Sequence, residues 1–103
     1  MRKLKIGITG TGQFAKCFIP LFQQHPHVSE IILSDLEDAR LQTVAQEFGV
    51  SHTVCSHADL CKTDVDAIAI FTQHQLHAPQ ALEALQHGKH VYCAVPAAHP
   101  LLI

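Results

Sequence analysis

The apolar positions of this chain switch repeatedly between a two-residue and a three-to-four-residue spacing. Leu4-Lys5-Ile6-Gly7-Ile8-Thr9 alternates apolar with small or polar residues and breaks at Gly10-Thr11-Gly12, the pattern of a strand ending in a glycine-rich turn. Phe14, Cys17, Phe18, Leu21 and Phe22 follow at the spacing of one apolar helical stripe, and Pro20 is expected to kink that helix or lie close to its end. Val28 to Asp35 is β-branched and apolar at its centre and closes on an acid, as a second strand would. Glu37 and Asp38 suit the positive N-terminal end of a second helix. Its buried stripe is Leu41, Val44, Ala45 and Phe48, and Gly49 ends it as a left-handed cap.

A short strand at His52–Cys55, a helical turn at Ala58–Cys61 and a buried-strand run from Val65 to Phe71 come next. Ala78, Ala81, Leu82 and Leu85 mark a helix with Pro79 in its first turn and Gly88 at its end; His90–Val95 is the last strand. Strands and helices therefore alternate. The right-handed crossover rule folds such an order into a three-layer α/β domain, doubly wound on a mainly parallel sheet of strand order 3-2-1-4-5. A ligand belongs in the crevice at the carboxyl ends of the first and fourth strands, where the order reverses. Gly10-Thr11-Gly12 and Thr72-Gln73-His74 both fall there.

Composition narrows the classes. The 103 residues, 48% hydrophobic and 16% charged, are expected to form one domain over 1–103. Seven Lys+Arg against nine Asp+Glu give a net charge of −2, without the basic surplus that a phosphate backbone demands, so nucleic acid is a poor first guess. The nine histidines make that charge pH-sensitive without requiring any functional site. No run approaches the ~18–20 apolar residues of a membrane span. Four cysteines without a CxxC pair, behind an opening that does not read as a signal peptide, fit a reducing cytoplasm.

Gly10-x-Gly12-x-x-Ala15 follows one strand and opens one helix, so its glycines would let backbone approach a pyrophosphate resting on the helix N-terminus. Asp35 ends the second strand, 25 positions after Gly10, where a carboxylate accepts hydrogen bonds from an adenosine ribose. Such an acid repels a 2′-phosphate, which favours NAD over NADP. Arg40 lies too far into the next helix to be expected as a phosphate ligand.

Gly10-Thr11-Gly12-Gln13-Phe14-Ala15, Asp35, Phe48-Gly49-Val50, Asp64-Val65-Asp66-Ala67-Ile68, Thr72-Gln73-His74-Gln75-Leu76-His77 and Gly88-Lys89-His90-Val91 resemble successive landmarks of the Gfo/Idh/MocA family of NAD(P)-dependent oxidoreductases, which act mainly on sugars and cyclitols. The resemblance runs from about Lys3 to Ala98. It implies a Rossmann domain with Gly10, Gly12, Gln13 and Phe14 around the pyrophosphate and Asp35 on the ribose. Thr72, Gln73, His74 and His77 would border the nicotinamide.

Two departures qualify what the resemblance implies. Ala94-Val95-Pro96 stands where the family usually reads Glu-Lys-Pro, and Val95 cannot relay a proton as that lysine does. Gln73 also replaces a common proline. The family's second, substrate-holding domain is expected to be absent, so these residues are expected to bind cofactor without completing a turnover, and the apolar face such a half would expose favours self-association. His77 is the one weak candidate for an acid or base. Variant family chemistry, a non-catalytic nucleotide sensor and a zinc module are the alternatives. For the last, His52, Cys55, His57 and Cys61 offer ligands at a spacing that fits no common zinc pattern, so no metal is expected; surface histidines and a buried Cys55 are the simpler account. Cys93 reads as a small buried hydrophobe.

Overall fold

The computed structural model describes residues 3–72, 74–93 and 101–102, with the side chains of residues 13, 14, 74, 75, 77, 93, 101 and 102 outside that description. The chain runs through β1 (Leu4–Thr9), α1 (Gln13–Gln24), β2 (Val28–Ser34), α2 (Asp38–Phe48) and β3 (His52–Val54). It continues through α3 (His57–Cys61), β4 (Ala67–Ile70), α4 (His74–Gln86) and β5 (His90–Cys93) to a two-residue β6 (Leu101–Leu102). The sheet order is β3-β2-β1-β4-β5-β6; the first five strands are parallel, as expected, and β6 pairs antiparallel with β5. That sixth strand was not expected from the sequence, because two residues carry no periodicity.

Neighbouring residues of a strand face opposite sides of a sheet, so the sheet feeds two cores. Ile8, Ile31 and Leu33 pack with Ala15 and Ile19 of α1 and Leu41 and Val44 of α2. Ile32, Ile68 and Ile70 pack on the other face with Leu60 of α3 and Ala81 and Ala84 of α4. The α2 stripe is buried as expected, and Gly49 closes that helix at φ 68°.

In two helices the stripe their spacing suggested is buried only in part: Phe18, Phe22 and Ala81 face the core as expected, and the neighbouring members do not. In α1 the buried stripe is Ala15, Phe18, Ile19 and Phe22, while Cys17 and Leu21 are exposed. Pro20 lies inside that helix, which continues to Gln24. In α4 the sheet receives Ala81 and Ala84, and Leu82 and Leu85 point outward. Alanines let the helix approach the strands closely; hydrophobicity alone does not reveal which face will do so. Pro79 is not in the first turn, because α4 begins at His74, beside the cavity that Leu76 and Gln80 help to line. The Val65–Phe71 run narrows to Ala67–Ile70 in the ladder, although Val65 and Phe71 are buried. Ala94–Pro96 lies outside the described residues.

Candidate functional site

β1 lies between β2 and β4, so its carboxyl end is the point where chain connections leave in opposite directions. Gly10 N–H donates to Ser34 O at 2.9 Å, and Phe71 N–H donates to Thr9 O at 2.8 Å. The chain then turns at Gly10 with φ 93°, and a Cβ there would stand 3.1 Å from the Phe71 carbonyl carbon. Only glycine fits both the angle and the space. Gly12 is the opposite case: among the described residues, its two chain neighbours aside, nothing lies within 4 Å of where its Cβ would be. It is the N-cap of α1, a helix that starts without a side-chain cap or an acid in its first turn. Such an end offers backbone N–H groups to an anion.

These glycines open onto a cavity of about 480 Å³ whose wall includes Asp35, Leu36, Glu37, Arg40, Thr72 and Leu76. Asp35 is 8% exposed and accepts five hydrogen bonds. Oδ2 takes the N–H and hydroxyl of Thr11 at 2.9 and 2.7 Å and Arg40 Nε at 3.1 Å. Oδ1 takes Glu37 N–H at 2.9 Å and Arg40 Nη2 at 3.1 Å. Burial by itself would raise the Asp35 carboxyl, but Glu37, Thr11 and Arg40 together outweigh it and hold the group below its ordinary value. A carboxylate offers about four lone-pair sites, so none is spare. A hydroxyl partner gains Asp35 only by displacing Arg40, whose side chain is 46% exposed.

Arg40 was expected to lie too far into α2 for a phosphate ligand and had no other role in the sequence reading; in the fold it lines the cavity and pairs with Asp35. The first turn of the helix folds back over the end of β2, which brings a residue five positions on into a bidentate pair. Thr11 and Leu36 were also missed. The Asp-x-x-x-x-Arg spacing across a strand end and a helix start was the available signal for the arginine.

His57 and Gln80 complete the cavity wall from the other face of the sheet. His57 Nδ1 is 2.7 Å from Thr9 Oγ1, and Nε2 is 2.7 Å from Gln80 O. The carbonyl only accepts, so Nε2 carries the proton and the Thr9 hydroxyl donates to Nδ1. Gln80 Oε1 in turn accepts from the Thr72 hydroxyl. Of the expected surface histidines, His52 is exposed but His57 is buried, and the expected buried Cys55 is exposed, since α3 turns its first residue inward while Cys55 follows the edge strand. His52 pairs with Glu30 at 3.2 Å, so the four sequence-adjacent metal ligands do not converge.

Of the predicted binding residues, Gly10, Gly12, Asp35 and Thr72 meet at this cavity. Gln73 lies outside the described residues, as do the side chains of Gln13, Phe14, His74, His77 and Cys93.

The family model described as "Oxidoreductase family, NAD-binding Rossmann fold" matches residues 4–101, and the chain belongs to this Gfo/Idh/MocA family. It is 32% identical over 97 residues to dTDP-3,4-didehydro-2,6-dideoxy-alpha-D-glucose 3-reductase of Streptomyces violaceoruber, covering 93% of this chain and 28% of the relative. Over 97 residues it is 31% identical to inositol 2-dehydrogenase 3 of Saccharopolyspora erythraea, covering 92% and 28%. Scyllo-inositol dehydrogenase from Lactobacillus casei, solved with NAD(H) and scyllo-inositol, superposes with a TM-score of 0.78 at 26% identity, covering 89% of this chain and 28% of that one. The chain therefore spans under a third of the length of the relatives it matches.

Proposed function

We propose that this chain is the NAD-holding part of an oxidoreductase acting on a sugar- or cyclitol-like alcohol. The observation that carries the reading is the ionised Asp35 beside the Gly10–Gly12 turn, in one cavity at the sheet's switch point. Gly10, Gly12 and the first turn of α1, with Gln13 and Phe14, take the pyrophosphate. Asp35 accepts the adenosine ribose hydroxyls as Arg40 swings toward solvent, and Leu36, 83% exposed, offers the adenine an apolar surface. The carboxylate disfavours a 2′-phosphate, and it already neutralises Arg40, so NAD is preferred over NADP. Thr72, Gln73, His74 and His77 border the nicotinamide, which when bound supplies the hydride acceptor or donor. The substrate class rests on the reductase and inositol dehydrogenase relatives.

Val95, in place of a proton-relaying lysine, supports a second reading in which the site binds NAD without hydride transfer. Thermal-shift and calorimetric titration with NAD, NADH and NADP tests the first claim: NAD or NADH at 100 times its dissociation constant adds about 2.7 kcal/mol, and no response to any nucleotide overturns it. Reduction of bound NAD by a cyclitol, followed by nicotinamide absorbance, separates the two readings.

A further inference from the structure

The metal ligands that were adjacent in sequence separate in the fold, but two of them meet a third from another helix. We propose that His57, Cys61 and Glu83 form a site for one soft divalent cation, zinc foremost, that ties α3 to α4. Their ligand atoms all lie within 4.8 Å of one another. His57 and Cys61 are four residues apart on α3 and so share a face, with Nε2 and Sγ 3.5 Å apart. Zinc bonds of about 2.3 Å to sulfur and 2.0–2.1 Å to nitrogen, at a tetrahedral angle, separate those atoms by about 3.5 Å. Glu83 comes from α4, which is why no sequence spacing announced the set.

The surroundings suit a resident ion. Leu60 presses α3 onto β1, where a Cβ on Gly7 would stand 2.9 Å from its Cδ1, and Ser56 caps the turn by accepting from Asp59 N–H at 3.1 Å. The two α3 ligands are therefore held by packed backbone. A metal on Nε2 needs the imidazole proton on Nδ1, and the Thr9 hydroxyl at 2.7 Å is placed to accept it. Loading thus exchanges the Nε2–H bond to Gln80 O for a metal bond, and the Cys61 thiol gives its proton to solvent. Thiolate, carboxylate and neutral imidazole then balance a 2+ ion, which lets a buried group become charged in a neutral cluster. Soft sulfur with imidazole selects zinc over magnesium or calcium. A fourth position remains for water.

The test is titration of the reduced, chelator-stripped chain with cobalt(II), followed by zinc(II). The expected result is a thiolate-to-cobalt charge-transfer band with tetrahedral visible bands at one equivalent, displaced by zinc. Cys61→Ser removes the charge-transfer band, Glu83→Gln weakens binding about tenfold or more, and a Cys17→Ser/Cys55→Ser/Cys93→Ser variant keeps it. Absence of the band, its survival in Cys61→Ser, or its loss in the folded triple variant overturns the site. Far-ultraviolet circular dichroism reports whether Cys61→Ser folds. If it does not, Glu83→Gln decides, and unchanged affinity there overturns the proposal. None of these readouts requires a nucleotide.

Discussion

Replacing Asp35 by Asn removes one charge and changes almost no volume, yet it cuts into a node joining the glycine turn to the start of α2. An amide has one acceptor oxygen. If it faces Thr11, its NH₂ group meets the Glu37 N–H, and if it faces Glu37 it meets the Thr11 N–H; each of those amides now donates at 2.9 Å. One of them is left without an acceptor in either orientation. Hydrogen bonds to a charged group contribute about 1.5–3 kcal/mol each, whereas the half-exposed Arg40 pair adds at most about 1 kcal/mol after solvent screening. The expected loss at neutral pH is about 2–4 kcal/mol, a fall in Tm of roughly 10–20 °C for a chain of this size.

The pH dependence follows from the direction of the shift. The folded carboxyl titrates below its ordinary 3.8, so its stabilisation is complete above the unfolded value and disappears as pH falls through the folded one. Urea unfolding of both proteins from pH 7 downward should give a constant gap above about pH 5 that narrows toward pH 3 and below. Equal stability at pH 7, or a gap that persists undiminished through the acid range, refutes the reasoning.

Gly12→Val should change the unfolding free energy in urea by no more than about 1 kcal/mol, because no atom of the described residues beyond its chain neighbours stands near the new Cβ, while lowering NAD affinity at least about tenfold; retained affinity in calorimetry removes the pyrophosphate from this turn. Gly10→Ala meets both a positive φ and the Phe71 backbone, and should cost about 2–3 kcal/mol in denaturant unfolding. Arg40→Ala leaves Asp35 unneutralised and should weaken NADP about tenfold, roughly 1.4 kcal/mol, without weakening NAD, whose ribose no longer has to displace the arginine; an equal loss for both in competitive titration contradicts the ribose assignment. In α4, Ala84→Leu should destabilise by about 1–3 kcal/mol, and Leu82→Ala by under about 0.5 kcal/mol, although the leucine is the more hydrophobic residue in the sequence.

The α4 comparison marks where sequence reading stops. Element order, parallel pairing and the place of the cavity at the switch point were legible because each depends on local signals: alternation in β1, glycine at positions 10, 12 and 49, and helical lengths between strands. The right-handed crossover rule then leaves few topologies. Asp35 was readable for the same reason, as the last acid of a strand whose end is marked by its own composition. The buried faces of α1 and α4 were readable only in part, through Phe18, Phe22 and Ala81. Spacing defines a stripe, but which stripe meets the sheet depends on how closely the backbones approach, and Ile19 and Ala84 won over Leu21 and Leu82. The partners of Asp35, and the meeting of His57 and Cys61 with Glu83, also belong to the tertiary structure alone. Such contacts join residues from separate elements, and their distances are set by packing after the chain has folded, so neither local propensity nor the spacing of residue types contains them.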